Sequence, residues 1–222
     1  MEDLDKAIDL LASRSKFSGQ RLNREAALLF KSRVALYEGT FEKYHRNSGR
    51  VPGDSEWPGA NADYNSGKIF GIDGEIEFFL TEAIAAAEEV AGTAQLTSNN
   101  HVIEPTVGVT TGWNPYFEMY SQPSLANVTE VLLWKEYNSE LSVKHNAPYR
   151  CKIGCADGYT RTFVEAFLMK NGLPIYAENS GYQGDTSIDN AKKDRDERLQ
   201  LFVWGESTIL DTDESAPTLA RI

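Results

Sequence analysis

The chain has 222 residues, 41% of them hydrophobic and 25% charged, enough apolar material for one large or two small domains and too much for a disordered chain. An excess of 33 acidic over 22 basic residues gives a formal charge of −11; that surface repels a nucleic-acid backbone, and no Lys/Arg cluster supplies a local exception. No stretch approaches the roughly 18 consecutive apolar residues of a membrane helix, and the acidic opening Met1-Glu2-Asp3-Leu4-Asp5 is unlike the basic start of a signal peptide, so the chain reads as cytoplasmic or as a piece of something longer.

The first predicted helix runs from about Asp3 to Ser13, with Leu4, Ala7, Ile8 and Leu11 on one stripe and Asp3 as N-cap. A second begins at the cap Asn23 and continues to Tyr37, with Ala26, Leu29, Phe30, Val34 and Tyr37 along one side and Gly39 in the position of a C′ glycine. Between Asn47 and Gly71 the periodicity disappears into a glycine- and proline-rich loop that holds Trp57, Tyr64 and Phe70. A third helix is expected from Gly74 to Ala91, between the caps Asp73 and Gly92. Its apolar set is Ile76, Phe79, Leu80, Ala83, Ile84, Ala87, Val90 and Ala91. The small residues Ala83, Ala87 and Ala91 let a neighbour approach closely, so the second and third helices are expected to pair antiparallel through Ala26, Phe30, Val34, Phe79, Ala83 and Ala87.

The second half is less regular. Gly112-Trp113-Asn114-Pro115 leads into the aromatic segment Tyr116 to Tyr120, and Glu130 to Tyr137 reads as a strand. Cys151 and Cys155, the only cysteines, cannot complete a zinc site with three scattered histidines. They are either two small buried thiols or, in an oxidising compartment, a disulfide. A fourth helix opens on the capping-box pattern Thr162-Phe163-Val164-Glu165, extends to Lys170, and is closed by Gly172 and Pro174. A loop, Gly181 to Asp185, and a charged run, Lys192 to Arg198, follow it. The fold expected is mainly α, with tetratricopeptide-like helical hairpins over 1–95 and a loop-rich, aromatic-containing part with a few short strands over 96–222.

Four segments carry a resemblance. Ala26 to Gly39 resembles the second helix of a tetratricopeptide unit as it occurs in the SusD/RagB family, and Glu82 to Val90 resembles that family's next helix. Phe163 to Ile175 is similar to a stretch that the family follows with a loop and an Arg-Asp-Pro-Arg-Leu motif, and Arg195-Asp196-Glu197-Arg198-Leu199 stands in that place, with Glu197 where the family has proline. Glu130 to Tyr137 resembles the "Glu, apolar run, Tyr" strand that lies between. The resemblance covers nearly the whole chain in the right order and implies one continuous, incomplete SusD-like domain. Family members begin with a lipoprotein signal and a lipidated cysteine and end with further repeat helices. The chain is therefore expected to be an internal or truncated portion, with apolar helix surface left uncovered.

What the resemblance implies is surface binding of an oligosaccharide or polysaccharide and its delivery to a SusC-like TonB-dependent transporter at the outer surface of the outer membrane. No cofactor and no metal are expected, and no catalysis. Stacking on sugar rings needs aromatic side chains with a broad apolar face and a polar edge. Trp57, Tyr64, Trp113, Tyr116, Tyr149, Tyr159 and Tyr182 all fall in predicted loops, where any one of them can equally pack over a helix end. The family places its stacking aromatics between the strand and the following helix, an interval that holds Tyr149 and Tyr159, with Arg161 and Asp157 placed to bond hydroxyls. Two other functions compete. A tetratricopeptide-type protein-interaction scaffold would carry its site on a concave helical surface. A glycoside hydrolase would need two carboxylates, one with a raised pKa, and no acidic pair here lies in a recognisable motif.

Overall fold

The computed structural model describes residues 1–106, 108–109, 111–147, 150, 158–211 and 218–219. Three helices dominate the first half: α1 (Glu2–Leu10), α2 (Arg24–Tyr44) and α3 (Ile72–Ala91). Helix α1 has no side-chain cap: Asp3 sits inside the first turn with Glu2 and Asp5, where negative charge opposes the helix dipole favourably. In α2 the Asn23 side chain accepts from the Ala26 N–H and so satisfies one orphan donor, as its sequence position predicts. The helix does not stop near Tyr37. It passes through Gly39 to Tyr44, because this glycine serves close packing: a Cβ there would lie 3.1 Å from the Leu80 side chain. In α3 the cap position falls to Gly71, and Asp73 stands in the first turn, paired with Arg46.

Helices α2 and α3 are antiparallel neighbours. Arg24 meets Glu89, Ser32 Oγ donates to the Ala83 carbonyl at 2.9 Å, and Gly39 faces Leu80. On α2 the seam is rotated from the expected one, whereas on α3 the expected Ala83 lies in it. Its buried residues are Leu28, Ala35, Gly39 and Glu42 on α2, and Ile76, Ala83, Ala86 and Val90 on α3. The small residues on these stripes bring the two backbones together and push the large ones aside, so Phe30, Val34, Tyr37 and Ile84 are exposed. Helix α1 joins through Lys31, whose Nζ lies 2.7 Å from Asp5 and 2.5 Å from Glu82. Ile8, Leu28, Ala86, Val90 and Leu132 form the core.

The chain divides into two compact units, Met1–Leu96 with Ser124–Glu136, and Thr97–Pro123 with Tyr137–Ile222. The division therefore differs from a single boundary at 95, because a later segment returns to the helical unit. That segment contains most of the expected strand, Glu130 to Tyr137, and it is not a strand. Its polar groups bond to a loop instead: the Trp134 N–H donates to the Gly19 carbonyl at 3.0 Å, Trp134 Nε1 donates to the Ser18 carbonyl at 2.7 Å, and the Leu132 carbonyl accepts from Asn23 Nδ2 at 2.8 Å. Gly19 has φ of +80° and a Cβ there would sit 3.1 Å from the Leu132 oxygen, so the approach needs glycine on two counts. Arg14 completes the attachment by donating to the carbonyls of Leu125, Ala126, Val128 and Val131.

The second unit is built from short pieces: α4 (Pro115–Glu118), α5 (Arg161–Glu165), α6 (Ile188–Lys192), α7 (Glu197–Phe202) and an antiparallel pair, β1 (Ile209–Asp211) with β2 (Thr218–Leu219). The described residues are thus mainly helical, with a loop-rich second half and very little strand. Helix α5 is shorter than the expected fourth helix and is capped two residues earlier, by Thr160 in place of Thr162, and the Thr160 Oγ1 accepts from the Phe163 N–H. It ends at Glu165 because the next residues find other partners. The Asp196 N–H donates to the Leu168 carbonyl at 2.8 Å and the Lys170 N–H to the Asp194 carbonyl at 2.7 Å, flanking an antiparallel bridge between Met169 and Arg195.

Candidate functional site

The Arg195-Asp196-Glu197-Arg198-Leu199 segment organises the second unit. Arg195 is 0% exposed. Its Nη1 donates to the Ala191 carbonyl at 2.9 Å and its Nη2 to the Val164 and Phe167 carbonyls at 2.7 Å, which ties α6, α5 and the turn after α5 to one planar group. Asp196 caps α7 and also receives Arg198 Nε at 3.0 Å and Nη2 at 2.6 Å; these bonds hold its carboxyl below the usual range. Five consecutive residues thereby fix the end of one helix and the start of another.

An aromatic cavity of about 390 Å³ lies against this segment. Helix α4 supplies one wall. Asn114 caps it by accepting from the Phe117 N–H at 3.1 Å, and its own Nδ2 donates to Asn99 Oδ1 and the Val102 carbonyl at 2.9 Å. This cap turns Tyr116, Phe117 and Tyr120 towards Phe202 of α7, at ring separations of 6.1, 5.4 and 5.1 Å. Helix α5 supplies the opposite wall: Tyr159 stacks on Phe163 at 5.2 Å with 24° between planes, and Phe163 meets Phe167 edge-on at 5.3 Å. Arg198 stands over the Phe167 ring at 5.9 Å. Tyr159 remains 57% exposed, and Phe163 and Tyr120 are exposed as well.

A second, polar cavity of about 640 Å³ shares Tyr116 and Arg198 with the first. Glu197 is its central acceptor: Oε2 takes Asn99 Nδ2 at 2.8 Å and His101 Nδ1 at 2.7 Å, and Lys170 Nζ stands 3.7 Å from Oε1. The His101 bond, before all else, holds the Glu197 carboxyl below its usual range.

Of the residues singled out in the sequence, Tyr159 lies on an open ledge immediately before α5. Arg161 opens α5, but its guanidinium is paired with Glu165 at 2.6 Å and Asp185 at 3.0 Å, which raises its pKa further through the Glu165 bond. Tyr149 and Asp157 lie outside the described residues, as do Cys151 and Cys155. Several other loop aromatics have packing roles: Trp57 meets Phe70 edge-on, Trp113 lies against Phe117, and Tyr182 lies beside Arg195. Tyr116, Tyr120, Phe202, Lys170 and His101 complete the two cavities and were not predicted together. They lie up to about a hundred residues apart in sequence, and the local signals near them, the aromatic segment Tyr116 to Tyr120, the Phe163 to Ile175 stretch and the Arg195 to Leu199 motif, did not say that they meet.

No family model matches the chain, and no curated protein or solved structure does. Among the described residues no group of His, Cys, Asp and Glu side chains could hold a metal ion, and no helix is long and apolar enough to cross a membrane.

Proposed function

We propose that the second unit is a saccharide-binding surface and that the chain acts as a SusD/RagB-type glycan-binding protein, presenting oligosaccharide to a SusC-like TonB-dependent transporter at the outer surface of the outer membrane. The observation that carries the binding reading is the exposed Tyr159 ring, stacked on Phe163 at the edge of an aromatic cavity. Such a ledge offers a flat apolar face to a pyranose ring, with the phenol edge and Arg198 available to hydroxyls. The resemblance of Ala26 to Gly39, Glu82 to Val90 and the Phe163 to Leu199 region supports the family and, through it, the transporter partner.

Catalysis is the weaker reading. A glycosidase needs one carboxyl kept protonated near neutral pH. The two carboxylates beside the cavities, Asp196 and Glu197, are both shifted the other way, Asp196 by its bonds from Arg198 and Glu197 by its bond from His101. The test is calorimetric titration of a panel of soluble oligosaccharides against wild type and Tyr159→Ala, with a melting curve for each. Loss of the stacking face should weaken binding about tenfold, roughly 1.4 kcal/mol, at an unchanged melting temperature. Unaltered affinity in the folded variant would remove Tyr159 from the site.

A further inference from the structure

We propose that the polar cavity beside the aromatic one seats the anionic group of an acidic saccharide, a uronate carboxylate or a sulfate ester, whose adjoining ring lies on the aromatic ledge. This rests on the saccharide-binding reading above and adds the class of sugar. Tyr116 and Arg198 line both cavities, so one ligand can reach from the stacking face into the polar space.

The hydrogen-bond inventory of the polar cavity is unbalanced. Its carboxylate oxygens are largely occupied from within the protein: both oxygens of Asp196 hold Arg198, and Oε2 of Glu197 holds Asn99 and His101. The donors are not matched in the same way. Arg198 commits Nε and Nη2 to Asp196, which leaves Nη1. Lys170 has only the long 3.7 Å contact to Glu197, and its side chain is 67% exposed. Arg195 adds a buried guanidinium bonded to carbonyl oxygens, with no partner at Nε. Three permanent cations, Lys170, Arg195 and Arg198, line the cavity against two carboxylates, Asp196 and Glu197, a balance of +1 in a chain of net charge −11. A neutral sugar's hydroxyl oxygens can accept from these donors but bring no charge to meet the excess of cations. An anion brings acceptors to donors that lack them.

The experiment pairs acidic saccharides with neutral counterparts of the same ring: oligogalacturonates and oligoglucuronates with their methyl esters, and sulfated galactose oligomers with the desulfated ones. Each is titrated at low and high salt against wild type, Lys170→Gln and Tyr159→Ala, with melting curves. At least one acidic member should bind ten times more tightly than its counterpart at low salt, and the advantage should shrink as salt screens it. Lys170→Gln should reduce that advantage several-fold at an unchanged melting temperature. The carboxylate and sulfate arms tell which anion is preferred. Equal binding of acidic and neutral members overturns the inference. If that equal binding still depends on Tyr159, the saccharide-binding reading stands alone. If no saccharide of either class binds, both are lost.

Discussion

Glu42 should make the helical unit less stable as the pH rises from 5 to 8, and replacing it should abolish that loss. The residue is 1% exposed, on the α2 face that packs against α3, and neither carboxylate oxygen has a hydrogen-bond partner. Burial, with the nearby charges of Glu38 and Glu75, lifts its pKa from 4.5 to about 7. The folded state therefore holds the proton more tightly than the unfolded chain does. That contribution is complete below the unfolded value and is lost as the pH rises through the folded one. The difference corresponds to ~3 kcal/mol between the two limits. Glu42→Leu removes both the ionisation and the unpaired acceptors, so it should gain close to that amount at pH 8 and much less at pH 5. Urea unfolding followed by far-UV circular dichroism reports mainly on α2 and α3, the 21- and 20-residue helices. Wild-type and Glu42→Leu midpoints that stay the same distance apart from pH 5 to 8 would refute the reasoning. The window lies above the range in which Asp196, Glu197 and Glu206 titrate, since all three are shifted down.

Gly39→Val should destabilise the α2–α3 pair by ~1–3 kcal/mol, because its side chain would meet Leu80 at a position already 3.1 Å from the bare Cβ site; an unchanged urea midpoint would mean the helices are not so close. Arg195→Leu should leave the carbonyls of Ala191, Val164 and Phe167 without their donor, at ~1–3 kcal/mol for each group that water cannot reach. Hydrogen exchange at the Lys170 and Asp196 amides should accelerate first, and full protection there would show that the guanidinium does not hold the segment.

The long helices were legible because α2 and α3 carry sustained apolar periodicity, and Asn23 is a cap whose geometry is local. Their contact face was not. Both the Phe30/Val34/Tyr37 stripe and the Leu28/Ala35/Gly39 stripe recur at helical spacing, and the choice between them depends on how closely two backbones come together. Apolar content favours the first; Gly39 against Leu80 decides for the second. The Glu130 to Tyr137 run has β-forming residues, yet a strand exists only with a ladder partner, and here its Trp134 amide bonds to the Gly19 turn. Helix α5 is cut short by Arg195, some thirty residues later in the chain, which no window around Thr162 can reveal. The site was half legible for the same reason: Tyr159 announces itself as a loop aromatic before a cap, whereas Tyr116, Lys170 and Phe202 acquire meaning only once the chain has folded them together.

Arg14 gives the helical unit a schedule. Its guanidinium is coordinated by backbone oxygens of residues 125, 126, 128 and 131, and Asn23 reaches the oxygen of residue 132. During synthesis α1, α2 and α3 leave the ribosome first and can pair, but these two side chains remain without their acceptors until the stretch up to 136 has emerged. The intervening residues, 97 to 123, belong to the other unit. They must be made, and carried along unfinished, before the first unit can close. A ribosome pausing between codons 97 and 124 would hold the nascent chain in its most vulnerable form, with the helices made and their last tie not yet synthesised.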